Sequence, residues 1–280
     1  MYKFLIKTFN LLFYGALSYK KNEYLQSHQI GKLLDPYTYY SKLNINRLAI
    51  QLGSGKKVLD IGSGGQWARH IFEKNKLTYI GCDIADSVNP EKQDFFVTDA
   101  HIPLAENTFD LVISNSVLEH VDTPEIAISE ANRVLKPGGL FYCQTNFLYQ
   151  EHGNPSDYYR FTLNGLNKLM ERHNFSVENS SKIGNFSTLI IDNIAAYIGN
   201  KMSNILNQYF KFNRLFRIIL IPLIVIQILV NNLVSIGVVT IIFFVKLIGT
   251  LWKTNNSFYP GVYVLCKKNN FYNTVTINND

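Results

Sequence analysis

The stretch VLDIGSGGQW, residues 58–67, constrains this 280-residue chain more than any other. Val58, Leu59 and Ile61 read as a buried strand, and glycines at 62, 64 and 65 allow a tight turn before a helical pattern begins. In such a unit glycine lets the backbone approach a ligand closely, and the free N–H groups of the helix start turn towards it. A dinucleotide turn needs G-x-G-x-x-G. Gly62 and Gly64 fit that pattern, but Trp67 stands at the third glycine position. Asp60, two residues before the turn, would repel a pyrophosphate and suits a cationic ligand. A nicotinamide oxidoreductase is therefore disfavoured.

From residue 56 onward single apolar strands alternate with helical patterns. The spacing predicts strands at 56–61, 77–83, 94–99, 109–115 and 139–146, with helices at 67–76, 86–92 and 124–135. Pro124 is placed as a first-turn residue. A further helix over 162–175, with Thr162 as its N-cap, leads into a strand at 175–183, and a last strand falls at 258–268. This alternation predicts an α/β fold, a doubly wound, mostly parallel sheet with helices on both faces. Residues 1–52 read as an N-terminal helical extension, broken at 35–37. Its first turn pairs Lys3 and Lys7 with an apolar run that Asn10 interrupts, which suits an amphipathic helix on the core or a membrane surface better than a cleaved signal.

Charged residues make up 17% of the chain, below the roughly 25% of an average soluble domain. The deficit points to a segment that does not face water. Residues 215–252 are that segment, and Asn231 with Asn232 supply a polar turn at their middle. The predicted form is an apolar helical hairpin inserted before the last strand, each arm roughly 25–28 Å long at about 1.5 Å per residue. Arg214, Arg217, Lys246 and Lys253 lie towards its open ends, the side expected to stay cytoplasmic. A dip into the inner membrane face, a soluble cap or dimer contact, and two full spans all suit the pattern, the first best. The organisation predicted is an extension over 1–52, a catalytic domain over 53–185 and 256–270, and an apolar insertion over 186–255.

The net charge of +6 is scattered in small groups and makes no nucleic-acid footprint. Cys82, Cys143 and Cys266 form no C-x-x-C pair and fall in strand-like runs, so reduced buried thiols and a cytoplasmic chain are expected.

The turn and the residues downstream of it resemble the class I S-adenosylmethionine-dependent methyltransferases, whose first motif is an acidic residue followed by G-x-G-x-G. Here Asp60, Gly62, Ser63, Gly64 and Gly65 match, with Gln66 replacing the third glycine. The resemblance implies a Rossmann-like sheet of seven strands and S-adenosylmethionine as cofactor. Asp83, ending YIGCD, would grip the ribose hydroxyls, with Ile84 beside it. In TDAHIPLAENTFDLVISNSVLEHV, Asp99 and Ala100 would meet the adenine edge, and Asn115, Ser116 and Val117 would line the cofactor at the end of the fourth strand. EHGNPSDYYRFT, residues 151–162, resembles the H-x-x-P-x-D-Y-x-R-F-T signature of bacterial methyltransferases of this type, and implies that His152, Asp157, Tyr158, Tyr159 and Arg160 close over the substrate.

Methyl transfer from a sulfonium is an in-line displacement, so the protein mainly orients the partners and excludes water. A hydroxyl nucleophile also needs a base within about 3 Å. His152 or His120 is the candidate, with Tyr159 and Arg160 as further catalytic candidates. Glu119 and His120 lack a second ligand pair at metal spacing along the chain, so no metal is expected. The predicted function is methyl transfer to a small or lipid-linked acceptor, a glycan or polyprenyl-type intermediate, at the inner face of the plasma membrane. A non-catalytic cofactor-binding module is the alternative that Gln66 motivates. A nucleic-acid methyltransferase is disfavoured because SNSV at 114–117 stands where N-P-P-Y or D-P-P-Y is usual.

Overall fold

A computed structural model describes residues 36–87, 89–153, 156–186, 188–190, 237 and 257–269. The chain divides into two compact units, one of residues 1–39 and 184–259 and one of 40–183 and 260–280. The second carries the whole sheet and every candidate site residue, and the description concerns that unit. The predicted hairpin over 215–252, Gly237 apart, and residues 1–35 of the extension lie outside the described residues. No helix among the described residues is long and apolar enough to cross a membrane.

The elements are α1 (Pro36–Leu52), β1 (Lys57–Ile61), α2 (Arg69–Lys74), β2 (Thr78–Asp83), β3 (Phe95–Phe96), β4 (Phe109–Asn115), α3 (Pro124–Val134), β5 (Leu135–Asn146), α4 (Leu163–Arg172), β6 (Phe175–Ile183) and β7 (Gly261–Lys268). They build one seven-stranded sheet in the order β3-β2-β1-β4-β5-β7-β6. The pairings from β3 across to β5 are parallel, while β7 runs antiparallel to both β5 and β6, so the sheet is mixed. Two expected elements shrink. Residues 86–92 give only a 3-10 turn at Pro90–Lys92, and the strand expected over 94–99 is the pair Phe95–Phe96. The chain is exposed at Phe96 and turns back on itself at Thr98–His101, so little of it can pair with β2.

Strand and helix periodicities place the core. Ile45, Leu48 and Ala49 recur at helical spacing on α1 and pack with Val58, Phe72, Tyr79, Leu111, Ile113 and Tyr142 in one buried cluster. Leu59 and Val112 alternate with those strand residues and face the opposite side, where they are equally buried. On α3 the buried set Ala127, Ile128, Ala131 and Val134 has the same helical spacing. Thr162 caps α4 by accepting the Gly165 N–H at 3.1 Å, and Pro124 opens α3, as the sequence requires. All three cysteines are buried and unpaired.

The strand order reverses between β1 and β4. In an open α/β sheet the crevice beyond the carboxyl ends of the strands flanking such a reversal is where ligands bind. The Gly62 turn leaves β1 at that point, and Asn115 ends β4 beside it.

Candidate active site

The turn after β1 is held from two directions. Gly62 has φ 65° and Gly64 φ 49°, left-handed conformations that glycine adopts without strain. A Cβ on Gly62 would also run into the Val117 side chain, its Cγ1 at 2.9 Å. Gly64 faces open space on that side. Gln66 takes φ 55°, so the residue replacing the third glycine keeps a left-handed backbone. Its amide oxygen accepts from Arg69 Nε at 2.7 Å, and its amide nitrogen tucks over Gly81, where a Cβ would meet it at 2.6 Å. From the other side Gln93 braces the turn. The Ser63 hydroxyl donates to Gln93 Oε1 at 2.5 Å, and Gln93 Nε2 donates to the Gly64 carbonyl at 2.8 Å.

Two carboxylates flank this turn. Parallel pairing sets Asp60 beside Gly81, which carries Asp83 past the strand ends and over the turn. Asp83 Oδ2 accepts the Gly64 N–H at 3.0 Å and Oδ1 accepts the Ile84 N–H at 2.8 Å, leaving each oxygen a lone pair. Asp60 is buried and makes no ion pair among the described residues. Burial pushes its pKa up to about 7, even though the Tyr79 hydroxyl donates to it at 2.5 Å. Arg69 lies over the Tyr79 ring, 4.7 Å from its centroid, and pairs with Asp94.

Asp99 and Ala100 both have positive φ and form the centre of a tight turn closed by His101 N–H to the Thr98 carbonyl at 2.8 Å. Asn115 Oδ1 accepts from Ser41 of α1 at 2.6 Å, and Ser116 has φ 59°. Helix α1 thus reaches the edge of the crevice.

The loops after β4 and β5 meet at Glu119. This carboxylate is fully buried, accepting from Thr145 Oγ1 at 2.8 Å and Asn146 Nδ2 at 2.7 Å, and burial raises its pKa. The Glu119 carbonyl accepts the Tyr158 N–H at 2.7 Å, tying the second loop to the first. His120 and His152 stand edge to face with ring centroids 4.8 Å apart. His120 Nδ1 lies 2.6 Å from the Ser156 carbonyl, and His152 Nδ1 lies 3.1 Å from Asp157 Oδ2. Arg160 grips Asp157 with two bonds of 2.5 and 2.6 Å and also donates to the carbonyls of Tyr149, Gln150 and Tyr159. That pairing holds the Asp157 carboxyl well below the usual carboxylate range. The Tyr159 hydroxyl donates to the Asp122 carbonyl at 2.8 Å, and the rings of Tyr158 and Tyr159 are exposed.

Residues 59–143, from β1 to the middle of β5, match the family model described as a methyltransferase domain. That match places the glycine turn, Asp83 and the Glu119–His120 pair inside a methyltransferase-type domain. A ubiquinone/menaquinone biosynthesis C-methyltransferase of Desulfotalea psychrophila is 35% identical over 82 residues, 29% of this chain and 30% of the relative. A ubiquinone biosynthesis O-methyltransferase of Maricaulis maris is 31% identical over 103 residues, 32% of this chain and 41% of the relative. The chain spans about a third of the length of these curated relatives. Among solved structures, a Haemonchus contortus phosphoethanolamine N-methyltransferase in complex with S-adenosyl-L-methionine aligns over 81% of this chain and 53% of that one, at 17% identity and TM-score 0.46.

The residues of the methyltransferase domain fit the cofactor's chemistry. Asp60 is a buried acid with no ion pair among the described residues and can receive the cationic aminoacyl end. Asp83 retains lone pairs for two ribose hydroxyls, and the open face of Gly64 leaves the backbone accessible. Of the residues named from sequence, the turn from Asp60 to Gly65, Asp83, Ile84 and Asn115–Val117 gather around one crevice. Arg160 has its guanidinium committed to its own loop. Sequence reasoning missed Gln93, Tyr79 and Ser41; it named Glu119 with His120, but not the burial of Glu119 or the approach of His152 to the pair. The ground for expecting no metal also fails, since His152 joins that pair through space. A separate cavity of about 580 Å³ opens at the amino-terminal ends of β4 and β5, lined by Lys56, Asp110, Lys136 and Lys267, away from the turn.

Proposed function

We propose that this chain transfers the methyl group of S-adenosylmethionine to a small or lipid-linked acceptor at the cytoplasmic face of the plasma membrane. The cofactor supplies an electrophilic methyl on a sulfonium. An acceptor lone pair attacks the methyl carbon, and the electrons of the breaking S–C bond return to sulfur. The chain's own residues hold the two ends in line. Asp83 grips the ribose hydroxyls, Asp60 faces the cationic end, and Asp99 with Ala100 borders the adenine. Asn115, Ser116 and Val117 close the near wall. On the acceptor side His120 or His152 receives the proton of a hydroxyl nucleophile, Tyr159 lines the rim, and Arg160 positions the loop that carries His152.

The observation that carries this reading is Asp83, fixed by the Gly64 and Ile84 amides at the point where strand order reverses. Two features support a lipid-linked acceptor. The two curated relatives described above are named for ubiquinone or menaquinone biosynthesis, and residues 215–252 are apolar enough to meet a bilayer. The test is methyl-labelled S-adenosylmethionine incubated with the full chain and, separately, a membrane lipid extract, an aqueous metabolite pool and RNA. Label in the lipid phase is expected, and a one-methyl mass shift identifies the acceptor. Label in RNA alone, or in nothing, overturns the proposal.

A further inference from the structure

Glu119, His120 and His152 come from two loops 32 residues apart, yet one ligand atom from each lies within 4.8 Å of the others. Three features set this cluster apart from a chance meeting of polar side chains. First, Glu119 is fully buried and both its oxygens are fixed by neutral donors, Thr145 and Asn146, which hold the carboxyl group close to the two imidazoles. Second, both imidazoles are oriented from behind. His120 Nδ1 faces the Ser156 carbonyl, and His152 Nδ1 faces the Gln150 carbonyl and Asp157. Those acceptors call for a proton on Nδ1 and leave the lone pair on Nε2, the arrangement by which metal-binding histidines are held. Third, Asp157 is itself locked by Arg160, so the outer partner of His152 is rigid.

We infer that Glu119, His120 and His152 bind a divalent first-row transition ion, of the zinc, cobalt or manganese kind, that seats an acceptor oxygen beside the methyl donor. Two imidazoles and one carboxylate suit these ions better than calcium or magnesium, which prefer all-oxygen shells. Three protein ligands also leave a coordination position free for a further oxygen. The three ligand atoms lie no more than 4.8 Å apart, against roughly 3–3.5 Å between neighbouring ligand atoms on one ion. The idea rests on the proposed methyl transfer and narrows it. An acceptor hydroxyl on the ion loses its proton to solvent, its oxygen forms the O–CH₃ bond, and the S–CH₃ pair returns to sulfur. Neither histidine then has to act as base.

The experiment uses the full chain, stripped with chelator and titrated with cobalt(II) while visible absorption is followed. One equivalent of cobalt with a d–d band is expected. His152→Ala, His120→Ala and Glu119→Gln should each weaken cobalt binding by more than the roughly 10–100-fold that losing an outer partner costs. His70→Ala, at an exposed histidine elsewhere, should leave it unchanged. Calorimetry with S-adenosylmethionine on each variant reports that the domain is folded and tests the functional reading separately. A cobalt band absent from the wild type, or surviving in all three site variants, overturns the metal site even where the cofactor binds. Cobalt bound without any cofactor affinity overturns the functional reading and leaves the site.

Discussion

Asp60 shows how much one buried side chain can decide. Its pKa stands at about 7 against an ordinary 3.8, because burial penalises the charged form. The raised value has a definite sign. The folded state without ligand holds a proton that the unfolded chain releases near pH 4, so this group's contribution to stability is intact below pH 4 and is lost as pH rises towards 7. Binding a cation reverses the preference. S-adenosylmethionine affinity should therefore increase as pH rises from 6 to 8, and Asp60→Asn should flatten that dependence while raising the melting temperature of the ligand-free protein above pH 7; calorimetry and thermal melts across pH check both. Gly62 makes the steric counterpart. Gly62→Ala places a methyl in a left-handed conformation and against Val117, whereas Gly64→Ala meets only the conformational cost of about 1–2 kcal/mol. Cofactor binding should survive the second substitution far better than the first.

Among the elements, the loop between β5 and α4 owes its shape to Arg160 and Asp157. Asp157 is nearly inaccessible, and Arg160 turns its fork inward onto the carboxylate and three carbonyls. Removing Arg160 takes the counter-ion from a carboxylate that keeps only its His152 contacts, at a cost on the order of 3 kcal/mol. Arg160→Ala should therefore speed proteolysis within 148–162 and lower methyl transfer while leaving cofactor affinity unchanged, because the Gly62 turn and Asp83 belong to other elements. Equal loss of affinity and turnover would instead give Arg160 a part in the cofactor pocket. The turn at Pro90–Lys92 is as consequential although it fell short of a helix, since it delivers Gln93 to the glycine turn.

For the molecule as a whole, the sheet buries both faces, and the glycine turn lies at the carboxyl edge of its parallel strands. The proposed membrane acceptor adds an expectation for the apolar residues 215–252: the full chain should sediment with membranes and be released by detergent but not by high salt, since apolar burial is insensitive to screening. Release by salt alone would assign the contact to the basic residues instead.

The alternation of apolar strands and helices, the glycine turn and its flanking acids were legible because each is a local pattern: a period, a spacing, a residue type that a backbone conformation demands. Asp60, Asp83 and the turn between them are neighbours in sequence or on adjacent strands, so reading one motif after another found residues that the fold places side by side. Tyr79 under Asp60, Gln93 over the turn, Ser41 reaching Asn115 and His152 arriving beside Glu119 and His120 were not legible. Their partners are separated by 19 to 74 residues, and no period along a chain encodes which loops meet. The residue types of the glycine turn and its flanking acids are written in the sequence. Which side chains stand beside Glu119 was decided only when the fold brought two loops together around that buried group.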